Sequence, residues 1–128
     1  MSVNEEGRQT EIANQLAEIA RTLAHSTRAV PRPSDSYELL GTLCAAQESL
    51  AQVYAQLAAW HGAAVGGKHF DGGDVRSIPG APAVGAEGLA TGLLNMAAAS
   101  ATEAAELVNK AYSANGVVRW FDAVKETA

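Results

Sequence analysis

Residues 59–73 read AWHGAAVGGKHFDGG, and most of the side chains in this protein that could do chemistry lie in or beside this run. His61, His69, Asp71 and Asp74 are imidazoles and carboxylates, the donors that suit zinc and other first-row ions. Glycines surround them, so holding the four in one geometry would cost about 1–2 kcal/mol of backbone entropy per residue. Gly62, Gly67 and Lys68 repeat the start of the phosphate loop G-x-x-x-x-G-K-[ST], but His69 stands where the magnesium-binding hydroxyl belongs. That loop works between a buried strand and a helix, where backbone amides and the helix dipole cradle phosphate. Here it follows a helical pattern and runs into glycine-rich sequence.

Two further features carry charge or a nucleophile. Arg21, His25, Arg28 and Arg32 recur at spacings of 4, 3 and 4, a basic edge that complements the carbonyl end of a helix dipole and is a candidate dock for an anionic partner. Cys44 has no histidine three or four residues away, so it reads as a small apolar side chain and not a catalytic thiol. No Ser-His-Asp set, carboxylate pair in apolar surroundings or glycine-rich strand-to-helix turn can be assembled. The expectation is a protein that is not an enzyme and has no catalytic residue, metal or cofactor.

The elements that must position these groups are helices. Alanine makes up about a fifth of the chain and aromatic residues only 5%, a composition biased away from sheet. Ser2 and Glu5 form a capping box ahead of Ile12, Leu16, Ile19 and Leu23, which predicts a first helix over about 3–28, stopped by Pro31 and Pro33. Asp35 and Glu38 open a second helix over about 36–61. Its seam runs Leu39, Leu43, Ala46, Leu50, Val53, Leu57 and Trp60, with Leu40, Cys44, Ala51, Tyr54 and Ala58 beside it, and Trp60 is expected to close that seam facing inward.

A glycine- and proline-rich connection is expected over about 62–85. A third helix follows over about 86–115, with a seam of Leu93, Ala97, Ser100, Ala104, Leu107 and Ala111, flanked by Leu94, Ala98, Ala101, Ala105, Val108 and Tyr112. Gly116 would end it in a left-handed conformation. Residues 117–121, VVRWF, form a short apolar segment before a polar tail over 122–128, and Trp60, Val117, Val118, Trp120 and Phe121 are the candidate interface. The fold expected is all-α: one domain, a three-helix antiparallel bundle with the long connection between helices two and three.

A formal charge of −5 argues against non-specific nucleic-acid binding, which needs surplus lysine and arginine to release counterions from phosphates. The acidic, polar start MSVNEEGRQTE lacks the basic and apolar regions of a signal peptide, no stretch is long and apolar enough to span a bilayer, and a single cysteine forms no internal disulfide. A reducing cytoplasm is the expected compartment, with no membrane partner.

Trp60-His61-Gly62, between two long helical patterns, resembles the Trp-x-Gly turn of the small helical-hairpin substrates of type VII secretion. That resemblance implies a hairpin of the second and third helices and an exported dimer. The sequence departs from the pattern in its long connection and in Gly116, which stands four residues after Tyr112 where the export signal carries an acid. The stretches VPRPSDSYELLGTL, LAQVYAQLAAWH and NGVVRWF are similar to uncharacterised small helical proteins of high-GC Gram-positive bacteria, associated with plasmids and integrative elements. This second resemblance implies a cytoplasmic accessory role and carries no functional residue with it. Helices this poor in charge are expected to be enclosed on most sides, so the function expected is protein–protein interaction, with self-association into a homo-oligomer.

Overall fold

The computed structural model describes residues 6–63, 72, 80 and 84–117, and among them the only regular structure is helical. A 3-10 turn, Glu6–Arg8, leads into α1 (Gln9–Ser26); α2 spans Asp35–Gly62 and α3 spans Val84–Asn115. The chain divides into two compact units, one holding α1 and the other residues 37–119, where the length alone had suggested one. No helix among the described residues is long and apolar enough to cross a membrane.

α1 forms because its apolar residues recur every three to four positions, yet none of its residues is buried, and Ile12, Leu16 and Ile19 stand exposed. The capping box at Ser2 and Glu5 lies outside the described residues. The helix ends two residues earlier than expected, and not at the prolines. Backbone N–H and side-chain hydroxyl of Thr27 both donate to the Leu23 carbonyl at 2.9 Å, and Ser26 Oγ donates to the same oxygen at 3.0 Å. Hydroxyls that take over the last carbonyls offer the backbone an alternative to another helical turn. Arg28 and Arg32 therefore leave the helix that carries Arg21 and His25. The chain re-enters helix through two tight turns, Asp35 N–H to the Arg32 carbonyl at 2.9 Å and Ser36 N–H to that of Pro33 at 3.1 Å.

α2 and α3 pack side by side. Tyr37 stacks on Tyr112, Cys44 reaches the Ala105 carbonyl, and His61 meets Glu87. As the position rises along α2 its partner falls along α3, so the two run in opposite directions. The residues fully shielded between them are alanines: Ala58 is 2% exposed, Ala105 4%, and Ala101 is their neighbour on the same line. This corrects the expected seams. Leu50 and Leu57 lie roughly a third of a turn around α2 from the line of Cys44 and Ala58, and Trp60 nearly half a turn, at about 100° per residue. On α3, Leu93 is displaced by a similar angle from Ala101 and Ala105, and Leu89, Met96 and Leu107 lie further round, toward the back of the helix. Small side chains occupy the contact line because they let the axes approach and gain dispersion between backbones. The large ones go where there is room. Trp60, expected inside, is 58% exposed.

The far end of the pair depends on two glycines. A Cβ on Gly41 would sit 2.9 Å from Cε1 of Tyr112, whose ring is stacked on Tyr37 with centroids 4.3 Å apart and planes 16° from parallel. Gly116 does not adopt the left-handed conformation expected of it; the only described glycine with positive φ is Gly80. The last turn instead tightens, with Gly116 N–H shared between the carbonyls of Tyr112 at 3.0 Å and Ser113 at 3.2 Å. Glycine is needed there for space: a Cβ would meet the Ser113 oxygen at 3.2 Å and the Tyr37 ring at 3.4 Å.

These glycines predict opposite responses to one substitution. Gly41→Ala gains helix propensity but displaces the stacked ring, and a net loss of about 1 kcal/mol is expected. Gly88→Ala, in α3 with nothing within 4 Å of its Cβ position, should gain about 0.5–1 kcal/mol. Urea unfolding of the two variants against the parent checks the sign of each.

Candidate functional site

The near end of the α2–α3 pair is where the sequence had placed its chemistry. His61 lies in the last turn of α2 and Glu87 in the first turn of α3. Their side chains are brought together with the imidazole Nδ1 2.8 Å from one carboxylate oxygen and 2.9 Å from the other, both groups largely shielded from solvent. Each end suits its occupant: a helix C-terminus favours an imidazolium and a helix N-terminus a carboxylate. The Thr91 hydroxyl donates to the Glu87 carbonyl at 2.8 Å, and Gly62 packs close to the Thr91 side chain. His61 is thus a fastener between two helices, and its ring also meets Trp60 edge-on with centroids 4.8 Å apart. Of the other proposed metal donors, His69, Asp71 and Asp74 lie outside the described residues, as do Gly67 and Lys68 of the phosphate-loop pattern. Among the described residues no three His, Cys, Asp or Glu side chains cluster as a metal set.

Sequence reasoning did not single out Glu87 as a partner for His61. The pairing of the last turn of one helix with the first turn of the next was the available signal, since opposite charges at those two ends meet whenever the helices run antiparallel.

Cys44 sits on the contact line between the helices, half-buried. Its thiol donates to the Ala105 carbonyl at 3.4 Å, with the Glu48 carboxylate 3.8 Å away. It borders an open groove of about 470 Å³ lined by Glu48, Ala51, Thr102, Ala105, Glu106 and Asn109. Burial first, and then the negative charge and hydrogen bond of Glu48, push the thiol above its ordinary pKa. At neutral pH this holds the sulfur as an unreactive thiol, the opposite of what a nucleophile needs.

The basic edge is not assembled on one helix. Arg21 and His25 are exposed on α1, Arg28 follows in the turn after it and Arg32 lies in the bend beyond, each exposed. Of the candidate interface, Trp60 and Val117 are exposed, whereas Val118, Trp120 and Phe121 lie outside the described residues.

What α2 and α3 do present to solvent is large apolar side chains. Val53, Leu57 and Trp60 from α2 and Leu89, Leu93 and Met96 from α3 are all exposed, Met96 by 66%. At about 100° per residue, Leu57 and Leu93 lie to one side of the contact line, whereas Val53, Trp60, Leu89 and Met96 lie near the backs of their helices, away from the partner helix. The groove with Cys44, Glu48 and Glu106 lies on the other side of the contact line from Leu57 and Leu93.

Two measurements follow. Glu87→Gln and His61→Ala, combined in a double-mutant cycle on urea unfolding, should give a coupling of about 1–2 kcal/mol, the range of a hydrogen bond to a charged partner. Cys44 should alkylate more slowly with iodoacetamide at pH 8 in the folded chain than in the urea-unfolded chain, and Glu48→Gln should speed the folded reaction by removing a carboxylate that disfavours the thiolate. Set beside known proteins, the chain matches no family model, no curated protein and no solved structure.

Proposed function

We propose that this chain is a non-enzymatic helical module that works by protein–protein assembly, with a homo-oligomer as its first product. One observation carries the reading: alanines fill the contact line of α2 and α3 while the largest side chains, Leu57, Trp60, Leu93 and Met96 among them, stand in solvent. Apolar side chains of this size exposed along two neighbouring helices favour an interaction role. The titratable groups support the same reading, because His61 and Glu87 are used in holding two helices together and Cys44 is held as a thiol. A cytoplasmic accessory role in a mobile genetic element is the setting that the second resemblance suggests for such a module.

A different reading, an exported substrate of type VII secretion, has its own observation in its favour. Trp60-His61-Gly62 closes α2, and α3 returns antiparallel to it with the Trp60 indole exposed, as a Trp-x-Gly hairpin would require. Fractionation of the host separates the two readings, since export puts the chain in the medium and assembly in the cytoplasm keeps it in the cells.

Assembly makes stability depend on concentration, because mass action favours the folded oligomer. Thermal unfolding at about 2 μM and about 200 μM should give midpoints several degrees apart, the higher at the higher concentration. Identical midpoints would overturn self-assembly. Added zinc, magnesium or ATP should leave the midpoint where it is, and a rise with any of them would restore a ligand role for the loop near His61.

A further inference from the structure

We propose that α1 is a pairing helix whose apolar stripe is covered by the α1 of a second copy, the two running antiparallel. The proposal rests on the assembly reading above and names the surface and the partner for it.

α1 is a helix without a core. None of its 18 residues is buried, and Ile12, Leu16 and Ile19 are 39%, 47% and 66% exposed along one stripe that Leu23 continues. An isolated helix of about 12–15 residues is marginal in water, and most helices in proteins are held by packing of their apolar face. Spacings of four, three and four put these residues at alternating d and a positions of a heptad, the seam of a two-stranded coiled coil. Turned end for end, two such stripes match layer for layer. Ile12 meets the partner's Leu23, Leu16 meets the partner's Ile19, and a two-fold axis repeats both layers. Beside the seam Ala13 faces the partner's Ala20, and side chains this small let the axes close.

Charge selects the direction. Acid lies early in α1 and base late, with Glu11 in the first turn, His25 in the last and Arg21 one turn before it. Two copies running the same way would set Glu11 beside Glu11 and Arg21 beside Arg21. Running opposite ways, Glu11 comes within about a turn of the partner's Arg21 and His25, and the two helix dipoles oppose each other. Arg21 is the only lysine or arginine between Gln9 and Ser26, so the helix has no basic stripe for an acidic membrane or a nucleic acid. The footprint is about 27 Å long by about 10 Å wide on each copy, roughly 540 Å² in all, the size of a weak and reversible contact.

The test uses full chains carrying Cys44→Ala. Ile12→Cys and Leu23→Cys variants are oxidised with diamide at about 200 μM, each alone and the two mixed. The mixture should form a disulfide dimer, at twice the 13.2 kDa mass, several-fold faster than either alone, and Asn14→Cys, on the side of α1 away from the stripe, should form little. In sedimentation, Leu16→Asp together with Ile19→Asp should raise the dissociation constant by more than about tenfold. The cross-linking pattern keeps the test decisive if α1 unwinds in that variant. Faster cross-linking of each variant with itself than in the mixture overturns the antiparallel pair, as does a mixture no faster than Asn14→Cys. A dissociation constant that the paired aspartates leave unchanged overturns it too, and each of these results leaves self-assembly standing on another surface. A chain that sediments as a monomer at every concentration up to about 1 mM overturns both.

Discussion

The structure depends on how closely α2 and α3 approach. Ala58, Ala101 and Ala105 leave the two helices almost backbone to backbone along one line, and a longer side chain on that line would push the axes apart. Close approach is what lets His61 reach Glu87 at one end, Cys44 reach a backbone carbonyl in the middle, and Tyr112 lie against Gly41 at the other. The same constraint sends the leucines elsewhere. A helix that gives its smallest side chains to its neighbour must leave its largest for another surface, so tight pairing and an apolar outer face are one outcome.

Much of the helix layout was readable because it is written in local signals. Four-three spacing of apolar residues marked three helices, and Asp35 and Asn115-Gly116 marked ends. What was hidden is direction. A stripe of Leu39, Leu43, Leu50, Leu57 and Trp60 says which side chains avoid water, but not whether they avoid it against the next helix of the same chain. The line of Gly41, Cys44, Ala51 and Ala58 was equally periodic, and its small size was the signal of the nearer neighbour. Gly116 was misread for a related reason: glycine serves at helix ends for left-handed geometry or for room, and only the Tyr37 ring above it tells which.

The candidate chemistry divides along the same boundary between local and long-range information. Two histidines and two aspartates within a short run are visible in sequence, yet His61 found its carboxylate in Glu87, across the connection between helices. Carboxylates and imidazoles at helix termini serve the backbone dipoles first, and packing brings the two ends together. Cys44, read from sequence as a small apolar side chain, lies half-buried on the contact line beside a polar groove, and the Glu48 that disfavours its thiolate lies one turn along the same helix and was in plain view. The basic edge dissolved because two hydroxyls after Leu23 ended the helix before the prolines could.

The meeting of Tyr112 with Gly41 has a consequence for which alignments of the two helices exist at all. Helices lined with alanine are smooth, and a smooth pair can slide by one turn, about 5.4 Å, with little change in what it buries. Slid by a turn in either direction, the phenol would come against Tyr37 or Cys44, neither of which has a hollow to receive it. Along the sequence from Tyr37 to Glu48, the one position without a side chain is Gly41. A single missing methyl thus acts as the notch of a key, giving one register to an alanine-lined contact and agreeing with the register that the His61–Glu87 pair requires at the other end.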